Sequence, residues 1–248
     1  MDAEPRTAIV TGAARRVGRA IAEALLADGW TVVAHVRRAQ DDAPDGTVKA
    51  VADLGQEDCA TRIFAAARGL PPVRLLVNNA ARFAWDSLGE PGPNEFDRHM
   101  AVNVRAPLLL TSALAHAHRA GEEALVVNLL DSKLSGLNAD FLSYTLSKQA
   151  LAGLTELAAR SLAPKGIRVN GIAPALMLRS AGQSERNFER MHAANPLGRG
   201  VEPEHVIAAI RFLAESPVIT GQILTIDGGH RFLGLERDVQ FLDEGGAS

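Results

Sequence analysis

The chain has one cysteine, Cys59, among 248 residues. That excludes an intramolecular disulfide and a cysteine-ligated zinc cluster. Cys59 lies in the helix-like stretch "QEDCATRIFAAARG", where an inert helix cysteine rather than a nucleophile is expected. No run of apolar residues approaches the roughly 18 that a membrane span needs, and "MDAEPRT" at the start lacks a basic-then-apolar signal pattern. A soluble, cytoplasmic protein with no membrane partner is expected. Strong charge of one sign is missing too. With 22% charged residues and a formal net charge of −3, electrostatic binding to nucleic acid is not expected. Nor do the seven histidines form a ligand motif: there is no HExxH, and His116 and His118 in "HAH" read as a solvated helix end. No metal is expected.

What is present is apolar residues, 47% of the chain, enough for a full core. They fall in short runs that alternate with helical patterns. The strand candidates are Thr7–Val10, Thr31–His35, Val48–Val51, Arg74–Asn78, Ala124–Leu129, Ile167–Ile172 and Gln222–Ile226. Between the first two, Val17, Ala20, Ile21, Ala24 and Leu25 mark one face of a helix. Further helices fit Gln56–Arg68, Asn94–Arg119, Tyr144–Ala163 and Pro203–Ala214, with glycines in "ADG" and "PKG" just past helix ends. Several strands are apolar throughout, which points to a parallel sheet covered on both faces. The expected fold is α/β: a single doubly wound Rossmann-type domain over 1–248, with a seven-stranded, mostly parallel sheet. Pro174–Leu197 lacks a clear strand, so a substrate lid is expected over 174–200.

In such a sheet the first strand–helix turn holds the phosphates of a dinucleotide near the helix N-terminus. Here that turn is "TGAARRVG", with Gly12, Arg15, Arg16, Val17 and Gly18. The second strand ends in "HVRR": His35, Val36, Arg37 and Arg38, with no acid before Asp41. A carboxylate after this strand suits the ribose hydroxyls of NAD, whereas basic residues suit the 2′-phosphate of NADP. Arginine fits because its planar fork gives paired charge-assisted hydrogen bonds. The two arginine pairs read as an NADPH pocket; the alternative is ordinary solvated loop charge.

"SYTLSK" places Tyr144 and Lys148 one helical turn apart. An ammonium there favours the phenolate, so the spacing predicts a lowered tyrosine pKa and useful acid–base chemistry. In chain order, TGxxxxxG, "NNA" at 78–80, Asn103, YxxxK and "ITGQ…IDGG" run from Thr11 to Gly229. Together they resemble the short-chain dehydrogenase/reductase family across nearly the entire chain. The resemblance implies a Rossmann-type sheet, a nicotinamide cofactor and a homotetramer. It implies Tyr144 as proton donor, Lys148 as its partner and ribose ligand, and Asn103 as anchor of a relay water. Cofactor contacts are implied for Asp53 and Leu54 near the adenine, for Asn79 and Ala80, and for Pro174 at the start of the lid.

Three departures stand out. The family's middle loop glycine is Arg16, its NNAG is "NNAA" with Ala81, and its serine 13 residues before the tyrosine is Asp131. A serine hydroxyl donates to a carbonyl oxygen as it gains charge, whereas an ionised aspartate repels it. A carboxyl group suits a C=N bond better, because it can pair with N–H donors and help supply a proton to a ring nitrogen. These departures resemble the pteridine reductase and dihydromonapterin reductase branch. That branch implies Phe83 stacking on a flat pterin, with Arg16, Asp131 and Tyr144 also facing substrate. The alternatives are a core or lid phenylalanine and a capping aspartate. Arg82 meets a substrate tail or nothing. The expected activity is NADPH-dependent reduction of a pterin. A general carbonyl or 3-oxoacyl reductase and a non-catalytic NADPH-sensing module are the competing readings.

After "DGG" the chain continues with "HRFLGLERDVQFL", carrying Phe232, Leu233, Leu235, Val239, Phe241 and Leu242, and then "DEGGAS", which reads as frayed. The apolar part of this 231–248 extension packs either on a neighbouring subunit or on its own domain.

Overall fold

Seven apolar runs pair edge to edge in a computed structural model that describes residues 4–242 apart from 120 and 181. "DEGGAS" lies outside the described residues. The strands are β1 (Thr7–Val10), β2 (Thr31–Val36), β3 (Val48–Val51), β4 (Val73–Asn78), β5 (Ala124–Leu129), β6 (Ile167–Pro174) and β7 (Ile223–Ile226). Their order is β3-β2-β1-β4-β5-β6-β7, and all six pairings are parallel. The direction of winding reverses between β1 and β4, and ligands of such sheets bind outside the strand ends at that point.

Alternate strand residues face opposite sides, and two cores result. Val10, Val32 and Val77 pack with Ile21 and Leu25 of α1 (Arg16–Ala27) and with Val206, Ile210 and Leu213 of α7 (Pro203–Glu215). Ile9, Leu76 and Val126 pack on the other face with Ile63 of α2 (Cys59–Ala66) and with Leu110 and Leu114 of α4 (Ala106–Ala117). Each such fully buried Leu or Ile contributes about 1.5–3 kcal/mol. No helix among the described residues is long and apolar enough to cross a membrane.

The helix expected over Asn94–Arg119 is interrupted. α3 (Pro93–Met100) runs into a wider five-residue π turn, Ala101–Arg105, before α4 begins. Pro107 supplies a reason: it lacks the N–H that would close an α-type bond to the Asn103 carbonyl. Within 174–200, α6 (Glu185–Ala193) is an additional helix, started by Ser184, whose side chain accepts the Asn187 N–H. It buries Met191 but carries no continuous apolar stripe, so periodicity gave no sign of it.

α5 (Leu142–Leu162) carries the YxxxK pair and is tied to the sheet by a buried polar ladder. Asn78 on β4 donates to Asn128, its register partner on β5, at 2.8 Å, and Asn128 donates to Thr155 on α5 at 2.9 Å. The described part of the tail turns back on its own domain: Arg237 forks onto Asp140 at 2.8 and 3.0 Å, and Phe241 stacks on Phe141. These contacts are with its own domain, one of the two packings left open from sequence.

Replacing Asn128 with leucine strands the buried Asn78 side-chain N–H and takes one bond from Thr155, whose hydroxyl keeps the Leu151 carbonyl, so Asn128→Leu should lower the unfolding free energy by about 1–3 kcal/mol. Urea titration with an unchanged slope would measure it.

Candidate active site

A cleft of about 1520 Å³ runs along the C-terminal ends of the strands. It brings together the loop residues Gly12, Arg15, Arg16, Val17 and Gly18, the β2 end with His35, Arg37 and Arg38, and Asp53, Leu54, Asn79 and Ala80. Phe83, Asp131 and Tyr144 line it as well. Asn103 and Lys148 are buried behind its wall, and Pro174 ends β6 beside it.

The turn after β1 is shaped for close backbone approach. A Cβ on Gly18 would stand 2.2 Å from the Gly12 carbonyl oxygen and 2.5 Å from the Asn79 side chain. Gly12 has φ +70°, and Arg16, in place of the family's glycine, keeps the left-handed conformation with φ +56°. Such a residue is strained by about 1–3 kcal/mol. Its guanidinium donates to the Arg179 and Leu178 carbonyls at 3.0 and 3.3 Å, joining the loop to the segment that follows β6. Asn79 serves the loop from behind, donating to the Thr11 carbonyl at 2.9 Å. α1 has neither a side-chain cap nor an acid in its first turn, which leaves its first N–H groups for an anion.

His35 supports this loop from inside the protein. Its Nδ1 accepts the Gly12 N–H at 3.0 Å, and its Nε2 lies 3.0 Å from the Ala52 carbonyl, so the proton resides on Nε2. Burial lowers its pKa, keeping that acceptor neutral. At the strand ends, Arg37 donates to Asp53 Oδ2 at 3.1 and 3.3 Å, while Asp53 Oδ1 takes the Gly55 N–H. That N–H, with the Arg37 charge adding to it, holds Asp53 below the usual carboxylate range. The Arg37 fork is thus turned onto Asp53.

At the other end of the cleft, the Tyr144 hydroxyl donates to Asp131 Oδ2 at 2.7 Å, and the Lys133 N–H donates to Asp131 Oδ1 at 2.9 Å. Burial, followed by the charge of Asp131, raises the Tyr144 pKa well above its ordinary value. The YxxxK spacing predicts the opposite direction. The reason for the reversal is that a carboxylate holds the hydroxyl directly, while Lys148 directs its Nζ to the Leu129 carbonyl at 2.6 Å. Burial lowers Lys148 to about 8. Asn103 spends its side chain on structure: Oδ1 accepts the Arg82 N–H at 2.7 Å, and Nδ2 donates to the Arg82 carbonyl and to Ser147.

Phe83 is 44% exposed in the cleft, stacked on Phe141 with centroids 4.2 Å apart and edge-on to Tyr144 at 4.7 Å. Arg82 is held by Glu95 through two 2.7 Å bonds. Two residues here left no sign in the sequence. Phe141 takes a left-handed conformation with φ +57° immediately before α5. Asp86, buried in the loop after β4, accepts the Ser143 N–H at 2.9 Å and bonds the Ser143 hydroxyl, fixing the first turn of α5 beside Tyr144.

A family model described as enoyl-(acyl carrier protein) reductase matches residues 12–231. The chain is 34% identical over 239 residues to the L-xylulose reductase of Homo sapiens, covering 90% of this chain and 96% of that protein. It is 32% identical over 277 residues to Pteridine reductase 1 of Leishmania tarentolae, covering 90% and 95% respectively. The solved structure of FolM Alternative dihydrofolate reductase 1 from Brucella suis, in complex with NADP, superposes with a TM-score of 0.85 at 36% identity, over 94% of this chain and 97% of that one. The chain belongs to the short-chain dehydrogenase/reductase family. It is an oxidoreductase of that family.

Because Lys148 titrates near 8 when folded and near 10.5 when unfolded, the unfolded chain binds more protons between those values. Keeping the buried ammonium charged below pH 8 therefore costs about 3 kcal/mol, and the cost is relieved as pH rises toward 10.5. Stability of the wild type relative to Lys148→Met should rise across that interval in denaturant titrations.

Proposed function

We propose that the chain reduces pterins, converting a 7,8-dihydropterin to its tetrahydro form with NADPH, and accepts dihydrofolate as a secondary substrate. The observation that carries this reading is the Asp131 carboxylate bonded at 2.7 Å to the Tyr144 hydroxyl. An ionised carboxylate opposes the oxyanion of ketone reduction, the chemistry that the name L-xylulose reductase describes for that relative. It favours a substrate that presents N–H donors and needs a proton on nitrogen. The likeness to Pteridine reductase 1 and to FolM supports the same choice.

The chain is an NADP(H)-dependent reductase, and its residues fit the cofactor: the Gly18 approach, the uncapped N-terminus of α1, and the arginines of the loop and β2 end. NADPH, when bound, supplies the hydride. We assign Gly12, Arg15, Arg16, Val17, Gly18, Arg38, Asn79, Ala80 and Pro174 to its binding. His35 and Arg37 act there through Gly12 and Asp53, and Leu54 closes the adenine end.

The protein's own contribution is proton handling and placement. Burial and the neighbouring carboxylate keep Tyr144 a neutral phenol, so it always has a proton to give. Tyr144 gives its proton to the substrate ring nitrogen while the Asp131 carboxylate accepts the substrate's N–H donors, and the relay returns a proton to Tyr144. Lys148, charged at neutral pH, binds the nicotinamide ribose and supports Tyr144. Asn103, in the π turn behind the cleft wall, holds the relay that resupplies protons. Phe83 packs on the pterin ring, and Arg16 closes the 174–200 lid. The whole chain works as one domain. Leu108, Leu146 and Leu157, exposed on α4 and α5, support assembly as a homotetramer.

The test is NADPH oxidation with dihydromonapterin, dihydrobiopterin and dihydrofolate beside a panel of ketones. Turnover of the dihydropterins above the ketones is expected; ketone turnover alone overturns the reading. Tyr144→Phe should lower kcat by about 100-fold or more with NADPH affinity little changed. Arg38→Asp should reduce the preference for NADPH over NADH by about tenfold or more, measured as the ratio of kcat/KM values.

A further inference from the structure

The tail connects to the Asp131 turn through a charge network that proton transfer does not use. Lys133 gives its backbone N–H to Asp131 Oδ1 and sends its side chain the other way. Its ammonium, 11% exposed, lies 3.0 Å from Asp238 Oδ2 and donates to Asn138 Oδ1 at 2.8 Å and to the Asp140 carbonyl at 3.2 Å. Asp238 belongs to the tail. Its N–H donates to Asp140 Oδ2 at 2.8 Å, and Asp140 also holds the Arg237 fork. From the same segment, Leu235 and Val239 line the cleft that contains Asp131 and Tyr144.

Lys133 and Asp238 line the cleft wall with side chains only 11% exposed, and removing one charge of so enclosed a pair loosens the other. The tail could be held by Arg237 and Phe241 alone. Lys133–Asp238 adds a contact directed at the turn whose Lys133 N–H holds Asp131 Oδ1, leaving Oδ2 to Tyr144.

We propose that the segment His230–Leu242 is part of the substrate site, with Asp238 a positioning residue that holds Asp131 in place through Lys133. The inference deepens the pterin reading and rests on the role given there to Asp131. A loosened Asp131 turn still binds NADPH, which the β1 loop and the β2 end hold by its phosphates, but meets Tyr144 less often in the bonded geometry. The effect therefore falls on kcat and on the local order of the turn.

The experiment compares the full chain with Asp238→Asn and Lys133→Met, each saturated with NADP⁺, by hydrogen exchange resolved to residues 131–135. Both variants should exchange there about tenfold faster or more, with α1 unchanged. With a dihydropterin, kcat should drop about tenfold while NADPH affinity holds, and Asp238→Glu should recover part of the loss. The double variant should be no worse than either single one, because both break the same tie. Unchanged exchange at 131–135, or additive losses in the double variant, overturns the inference. Faster exchange in a chain whose wild type reduces no dihydropterin supports the tie and counts against the pterin reading instead.

Discussion

The hydrogen bond from Tyr144 to Asp131 joins two elements, and each has to be fixed before the 2.7 Å contact can form. Asp131 follows β5, whose place in the sheet is set by parallel pairing with β4 and β6. Tyr144 lies in the first turn of α5, which is held at two points: Asp86 grips Ser143 at the start, and the Asn78–Asn128–Thr155 ladder grips the middle. None of these groups reaches the cleft chemistry itself. They convert a helix and a strand end, each mobile alone, into a single proton-carrying unit whose distance is set by packing.

The same cleft separates its charges by purpose. Toward the adenosine end, Arg15, Arg16 and Arg38 line the cavity, and α1 leaves its N–H groups uncapped. Toward the tail, the cations are matched: Lys133 with Asp238, Arg82 with Glu95, Arg231 with Asp227. A phosphate-bearing ligand is therefore drawn to one end, while the other meets its ligand through aromatic rings, a carboxylate and neutral donors.

Much of this was legible before any coordinates. The seven strands are visible because parallel strands buried on both faces leave apolar runs; β2, β4 and β6 extend one or two residues beyond those runs, and β7 starts one residue later. The loop, the arginine pairs and YxxxK follow from spacing. What sequence could not reveal depends on tertiary neighbours. Phe141 and Arg16 take left-handed conformations that nothing in their side chains announces. Asp86 caps a helix from 57 residues away. The direction of the Tyr144 shift reverses because burial and a carboxylate outweigh a lysine whose ammonium points to a carbonyl. α6 has too thin an apolar face to register in a periodicity, and the partner of the tail is a matter of where the chain folds back.

Arg16 puts two demands on one position. Glycine would sit in that left-handed conformation without strain, yet it would sever the loop from the Leu178 and Arg179 carbonyls. A more relaxed turn would thus come with a looser tie between the β1 loop and the segment that follows β6. Local backbone ease and long-range connection pull in opposite directions at this position, and the arginine favours connection.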